Sequence, residues 1–199
     1  MENGSLVIYL EANRKKKIAR FAAAWADDPT SAPFCGDCIS QISTSKSCDA
    51  SCYQMDLEDF IGGFIFWMKD SRKEVNSIVL VGFDIEKRAE TLRNVMVHQI
   101  KSRDLKFNNY FSPQLIDLSS LVYAEHLKRE APVPRVADFV YSLGYAGMSN
   151  HKLSEDEHPL AKAKAMLEAE IFSRIAFGRR YFSEFKKYPV PNYLERMHK

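Results

Sequence analysis

Four cysteines are confined to one short segment, FCGDCISQISTSKSCDASC. Two residues separate Cys35 from Cys38, nine follow, and three separate Cys48 from Cys52. Thiolates spaced this way suit a tetrahedral zinc ion, because two short chelate loops can each present two sulfurs. A site closed by four cysteines leaves no open coordination position, so the predicted chemistry is a structural staple rather than catalysis. The alternative is four unligated thiols. The other chemistry-bearing groups are cations. Arg14, Lys15, Lys16 and Lys17 form one run in a predicted hairpin turn. The tail FGRRYFSEFKKYPVPNYLERMHK sets Arg179, Arg180, Lys186 and Lys187 among Tyr181, Phe182, Phe185 and Tyr188. Such clusters can contact phosphates without regard to sequence, and interleaved rings can stack bases. The plainer reading of the first run is solvated surface, and the tail can equally pack on the domain or serve as a protein-binding peptide.

The chain that must carry these groups has 199 residues, 46% of them hydrophobic, enough for one domain with a real core. A net charge of +2 is too mild to argue for nucleic acid by itself, so distribution matters more than the total. No apolar run approaches the roughly 20 residues of a membrane span. The opening MENGSLVIYL has no basic region before its apolar run and no small-residue cleavage site. An intracellular protein is predicted, in cytoplasm or nucleus, with no membrane partner, and this supports metal over disulfides for the cysteines.

Hydrophobic periodicity supplies the elements. Leu6 to Leu10 is a short β-favouring run, Asn13 to Lys16 a polar break, and Ile18 to Ala26 a second strand despite its consecutive Ala22, Ala23 and Ala24. Cys38 to Ser43 is the predicted third strand. The period then changes to about 3.6. A helix starts at Met55 or Asp56, with Leu57, Phe60, Ile61, Phe64 and Met68 on one side. Ser77 to Gly82 reads as a strand covered on both faces. Ile85 to Lys101 has helical spacing at Ile85, Ala89, Leu92, Val95, Met96 and Ile100. A turn at Asn108-Asn109, a strand at Gln114 to Leu118 and a helix from Ser119 to about Lys128 follow. After a break at Ala131 to Pro134 come a helix from Arg135 to Leu143 and a last one from Pro159. Strands first, then strands alternating with helices, predict an α/β sandwich with a mixed sheet.

This order resembles the DEDDh, or DnaQ-like, 3′-5′ exonuclease family, whose fold is ribonuclease H-like, from Leu6 to about Phe177. In that family the first strand ends in Asp-x-Glu, and the second carries a small-residue run like Ala22 to Ala24. A helix then precedes a strand ending in Gly-His-Asn, here IVLVGFDIEKRAETL. The family's Ile-Asp-Thr-Leu strand is similar to Leu115-Ile116-Asp117-Leu118-Ser119. Its closing His-x4-Asp helix is similar to HPLAKAKAMLEAEIFSRI from His158. The resemblance implies an exonuclease-like domain at 1–178, with a mixed sheet flanked by helices. It leaves a Cys-rich insertion at 33–53, outside the family pattern, and a basic aromatic tail at 179–199.

Such nucleases cut the terminal phosphodiester with two divalent ions held by four carboxylates, while a histidine takes the proton of the attacking water. Here Tyr9 stands at the first aspartate, which both ions share, and Glu11 fits the glutamate. Aligning Gly82 with the family's glycine puts Phe83 at the histidine, Asp84 at the asparagine and Arg88 at the second metal-binding aspartate. A guanidinium there repels the ion. With His158 as the base, the final aspartate falls on Ala163. A second alignment takes His151 and Asp156, which share the same spacing, and offers Glu11, Asp84 and Asp156 as ligands with His151 as base. The plainer reading of Glu155-Asp156-Glu157 is an acidic start to a helix.

The resemblance therefore implies a catalytically inactive domain without Mg or Mn. At the level of a degenerate fold it extends to the germline pseudo-nuclease domains of the Exuperantia and Maelstrom families. It implies an adaptor in RNA silencing or mRNA localisation, with protein partners, single-stranded RNA, residence in RNA-protein granules and possible homodimers. The alternatives are an active exonuclease with a rearranged site and a protein-only interaction module.

Overall fold

The structure, a computed structural model, describes residues 3–12, 18–28, 31–36, 57–72, 77–127 and 159–178. Strand β1 (Asn3–Ala12) pairs antiparallel with β2 (Ile18–Trp25), from Leu6 opposite Trp25 to Ala12 opposite Ile18. The register slips between Glu11 and Ala12. Strand β3 (Phe34–Gly36) continues the sheet beside β2, setting Cys35 opposite Ala22. Helix α1 (Leu57–Ser71) leads to β4 (Ser77–Gly82), parallel to β1, and helix α2 (Ile85–Asn94) follows. Strand β5 (Phe111–Asp117) runs parallel to β4 and passes directly into α3 (Leu118–Leu127). Helix α4 (Pro159–Phe177) completes the described elements. The sheet order is β3-β2-β1-β4-β5, the mixed sheet flanked by helices that the element order predicts, and it is compatible with the ribonuclease H-like arrangement that the resemblance implies.

Alternation along β1 decides which layer each side chain meets, because successive residues point to opposite faces. Leu6, Ile8 and Leu10 share a core with Phe21, Ala23 and Trp25 of β2, with Phe60, Phe64 and Met68 of α1, and with Ile85, Ala89 and Leu92 of α2. Val7 and Tyr9 face the other way, with Ala22, Ala24 and Ala26, against Ala161, Ala165 and Ala169 of α4. Two of the three alanines that weaken the strand signal, Ala22 and Ala24, thus have a structural task. Small side chains on both surfaces let α4 approach the sheet closely, and polar residues of that helix come within reach of β1.

Several elements differ in extent from the sequence prediction. The predicted strand at Cys38 to Ser43 lies outside the described residues, as does the helix at Arg135 to Leu143. The described β3 begins at Phe34, whose ring centroid lies 5.4 Å from that of Phe64 and 5.6 Å from that of Phe60. Helix α2 stops at Asn94 and continues as a π-helical turn, Val95–Gln99, which still buries Val95 and Met96. Asn108 and Asn109 sit in a 3₁₀ turn, Phe107–Asn109. Strand β5 starts earlier than predicted, at Phe111, which is buried beside Phe107. Among the described residues no helix is long and apolar enough to cross a membrane.

Candidate functional site

Strands β1 and β4 pair from Asn3 opposite Ser77 to Val7 opposite Val81. Past that register, at the C-terminal end of β4, Arg88 reaches in from α2. Its Nη1 donates to the Ile8 carbonyl at 2.8 Å and to both Glu168 oxygens, at 3.0 and 2.8 Å. Glu168, fully buried on α4, also accepts the Phe83 backbone N–H at 3.2 Å. Gly82 lies against this pair: a Cβ there would stand 2.9 Å from Glu168 Oε2, 3.1 Å from Arg88 Nη1 and 3.3 Å from the Ile8 carbonyl oxygen. Glycine is required because the ion pair occupies the space a side chain would fill.

Tyr9 separates this buried pair from a second, more open group. Its ring has the Arg88 guanidinium 4.9 Å from the centroid and the Lys164 ammonium 4.6 Å from it. Such contacts favour a cation over a neutral group by about 0.5–2 kcal/mol each. The Tyr9 hydroxyl donates to Glu11 Oε1 and accepts from Lys164 Nζ at 2.5 Å. Lys164 also lies 3.3 Å from Glu11 Oε1, and Arg20, opposite Glu11 on β2, lies 3.3 Å from its other oxygen. Burial raises the pKa of Glu11. The Tyr9 hydrogen bond, the charge and hydrogen bond of Lys164 and the charge of Arg20 outweigh it, so the carboxyl titrates below its ordinary value.

Among the described residues, Glu11 and Glu168 of this cleft are therefore each paired with a cation. A divalent ion in this cleft would have to compete with Arg88 for Glu168 and with Lys164 and Arg20 for Glu11. Among the described residues no group of three or more histidine, cysteine, aspartate or glutamate side chains could hold a metal ion.

Of the predicted site residues, the fold brings Tyr9, Glu11 and Arg88 together. Asp84 is exposed, at the N-terminal boundary of α2, with φ of 50° and its side chain capping no backbone N–H of that helix. It takes no part in the Glu11 cluster. His151, Asp156 and His158 lie outside the described residues, as do Arg14, Lys15, Lys16 and Lys17, the tail cations Arg179, Arg180, Lys186 and Lys187, and Cys38, Cys48 and Cys52.

The sequence reading missed Lys164 and Glu168. Both signals were present. Arg88 sits on the apolar stripe of its helix with Ile85, Ala89 and Leu92, and a cation on a buried face requires a buried acid. Glu168 lies in the run AMLEAEIF, and its neighbour Glu170 is likewise buried, with Arg174 Nε at 2.6 Å.

At the opposite end of the sheet a cavity of about 580 Å³ lies among Lys69, Arg72, Ile78, Asn109 and Tyr110. Several of its polar groups are engaged within the protein. Arg72 forms a two-pronged bond to Asp27, and Tyr110 donates to the Asp104 carbonyl.

Comparison with family models, with curated proteins and with solved structures found no match.

Proposed function

We propose that this chain is a catalytically inactive adaptor built on an exonuclease-like fold, which binds RNA, protein partners or both in RNA silencing or mRNA localisation. The observation that carries the proposal is the salt-bridged cleft. Arg88 lies within hydrogen-bonding distance of Glu168, and Lys164 of Glu11, with the Tyr9 ring between the two cations. Two-metal hydrolysis needs carboxylates free to bridge two ions, and an internal cation on each carboxylate opposes that arrangement. The active-enzyme alternative needs Asp84 to join Glu11, and the exposed position of Asp84 at the boundary of α2 disfavours it.

The test is incubation of the purified protein with end-labelled single-stranded RNA and Mn²⁺, with Glu11→Ala alongside, resolving free, bound and shortened label. Intact RNA, shifted by the protein, is the expected result. Shortened products that vanish in Glu11→Ala would reject the proposal.

A further inference from the structure

We infer that the carbonyls of Met96, Val97 and Ile100 form a cation cradle filled by the Lys106 ammonium, and that this tethered cation locks residues 101–105 in place as a strap. The inference is independent of the adaptor reading above. A helix leaves its last carbonyls without an amide of its own to accept from. Helix α2 runs on into the π-helical turn Val95–Gln99, and the backbone becomes extended at Ile100, with φ of −103° and ψ of 126°. Lys106 Nζ donates to three carbonyls around that end, to Ile100 at 2.9 Å and to Met96 and Val97 at 3.2 Å each. An ammonium has three N–H donors and no acceptor, so one cation is matched to three oxygens. The negative end of the helix dipole favours a cation at the same place. Carbonyl oxygens hold K⁺ by replacing its hydration shell in a comparable manner. The ligand class of the cradle is therefore a compact monovalent cation, which the chain supplies itself.

What the lock holds is the segment between this turn and the 3₁₀ turn Phe107–Asn109. Side chains tie its backbone down. Glu58 of α1 accepts the Ser102 N–H at 3.2 Å. Asn109 Nδ2 donates to the Arg103 carbonyl at 3.2 Å and to the Asp104 carbonyl at 3.4 Å, and the Tyr110 hydroxyl donates to the latter at 2.7 Å. Bonds to an ionised group are roughly twice as strong as neutral ones. Glu58 makes one such bond to the strap, and Lys106 brings three to a single point. Phe107, the next residue, is buried beside Phe111 and anchors the foot of the strap in the core. Asp104, Asn109 and Tyr110 line the cavity of about 580 Å³ together with Lys69 and Arg72, so releasing the strap loosens one of its walls.

Hydrogen exchange of the full chain, read by mass spectrometry, is the test. Lys106→Met keeps a stem of similar length and removes the charge with its donors. Amides of residues 95–105 should then exchange roughly tenfold to a hundredfold faster, the range expected for lost bonds to a charged group in a locally opening segment. Strands β1 and β2 should keep their wild-type rates. Lys106→Ala should be loosened in the same segment. Methylammonium, which carries the same three donors, should restore part of its protection, and tetramethylammonium at equal ionic strength, which has none, should not.

Wild-type rates in Lys106→Met would overturn the lock, and so would an acceleration spread equally over β1 and β2. Protection of Lys106→Ala restored by both ions alike, or by neither, would overturn the cation cradle. If Lys106→Ala fails to fold, Lys106→Met leaves the first comparison standing. None of these outcomes touches the inactive-enzyme reading, which only shortened RNA would reject.

Discussion

The two layers on either side of the sheet are built on different principles. Toward α1 the contacts are rings and aliphatic chains: Phe21 meets Phe60 and Phe64 edge-on, and Trp25 stacks on Trp67 at 5.9 Å. Toward α4 the sheet shows alanines, and Arg88, Glu168, Glu170 and Arg174 are all buried there. A layer of bulky apolar residues draws its stability from area removed from water, about 25 cal/mol per Å², and tolerates exchanges of similar volume. A layer holding ions depends on each charge keeping its partner, since a lone buried charge costs several kcal/mol. Ordinary core design explains the first layer. The second holds two buried ion pairs, Arg88 with Glu168 and Arg174 with Glu170, that such design does not require.

The largest effect should come from breaking the buried pair on one side only. Arg88→Ala or Glu168→Ala leaves an uncompensated buried charge and should cost about 3–5 kcal/mol in chemical denaturation. Replacing both with apolar residues of similar size, as in Arg88→Met with Glu168→Leu, should restore most of that loss. A double variant as unstable as either single one would mean that the pair does not act as a unit.

Gly82→Ala comes next. The added methyl would stand 2.9 Å from Glu168 Oε2, so the ion pair must shift, at a cost of about 1–3 kcal/mol. The same exchange at Gly63 on α1, where nothing lies within 4 Å of the added carbon, should stabilise by about 0.5–1 kcal/mol through helix propensity. Opposite signs at the two glycines would sharpen the contrast between the layers.

Tyr9→Phe keeps the ring but loses the hydroxyl that joins Glu11 to Lys164, and should cost about 1 kcal/mol. The smallest effect concerns pH. The folded pKa of Glu11 is depressed, so its contribution is present above the unfolded value and lost as pH falls through the folded one. Glu11→Gln should therefore flatten the acid limb of the stability curve, modestly, because the side chain is 37% exposed.

Legibility in the sequence follows the same division. The α1 layer could be read because Leu57, Phe60, Ile61, Phe64 and Met68 repeat with helical period, and Ser77 to Gly82 is an unbroken strand run. At the site, Tyr9, Glu11 and Arg88 were placed by their order along the chain. Their partners were not. Lys164 and Glu168 are one turn apart on a helix far away in sequence, and the face of α4 that meets the sheet is the one whose Ala161, Ala165 and Ala169 join Ala22 and Ala24 of β2 in one buried cluster. Helical period alone does not fix that rotation when most residues of the helix are buried. A third strand at Phe34 was missed because three residues are too short to show alternation.

The most direct measurement is Mn²⁺ binding to the purified protein, followed by the electron paramagnetic resonance signal of the free ion as the protein is titrated in. If Arg88 and Lys164 fill the places of metal ions, the signal of free Mn²⁺ should persist in wild type and in Glu11→Ala alike. A loss of free Mn²⁺ to the wild type that Glu11→Ala abolishes would contradict it, and would make the cleft a working metal site.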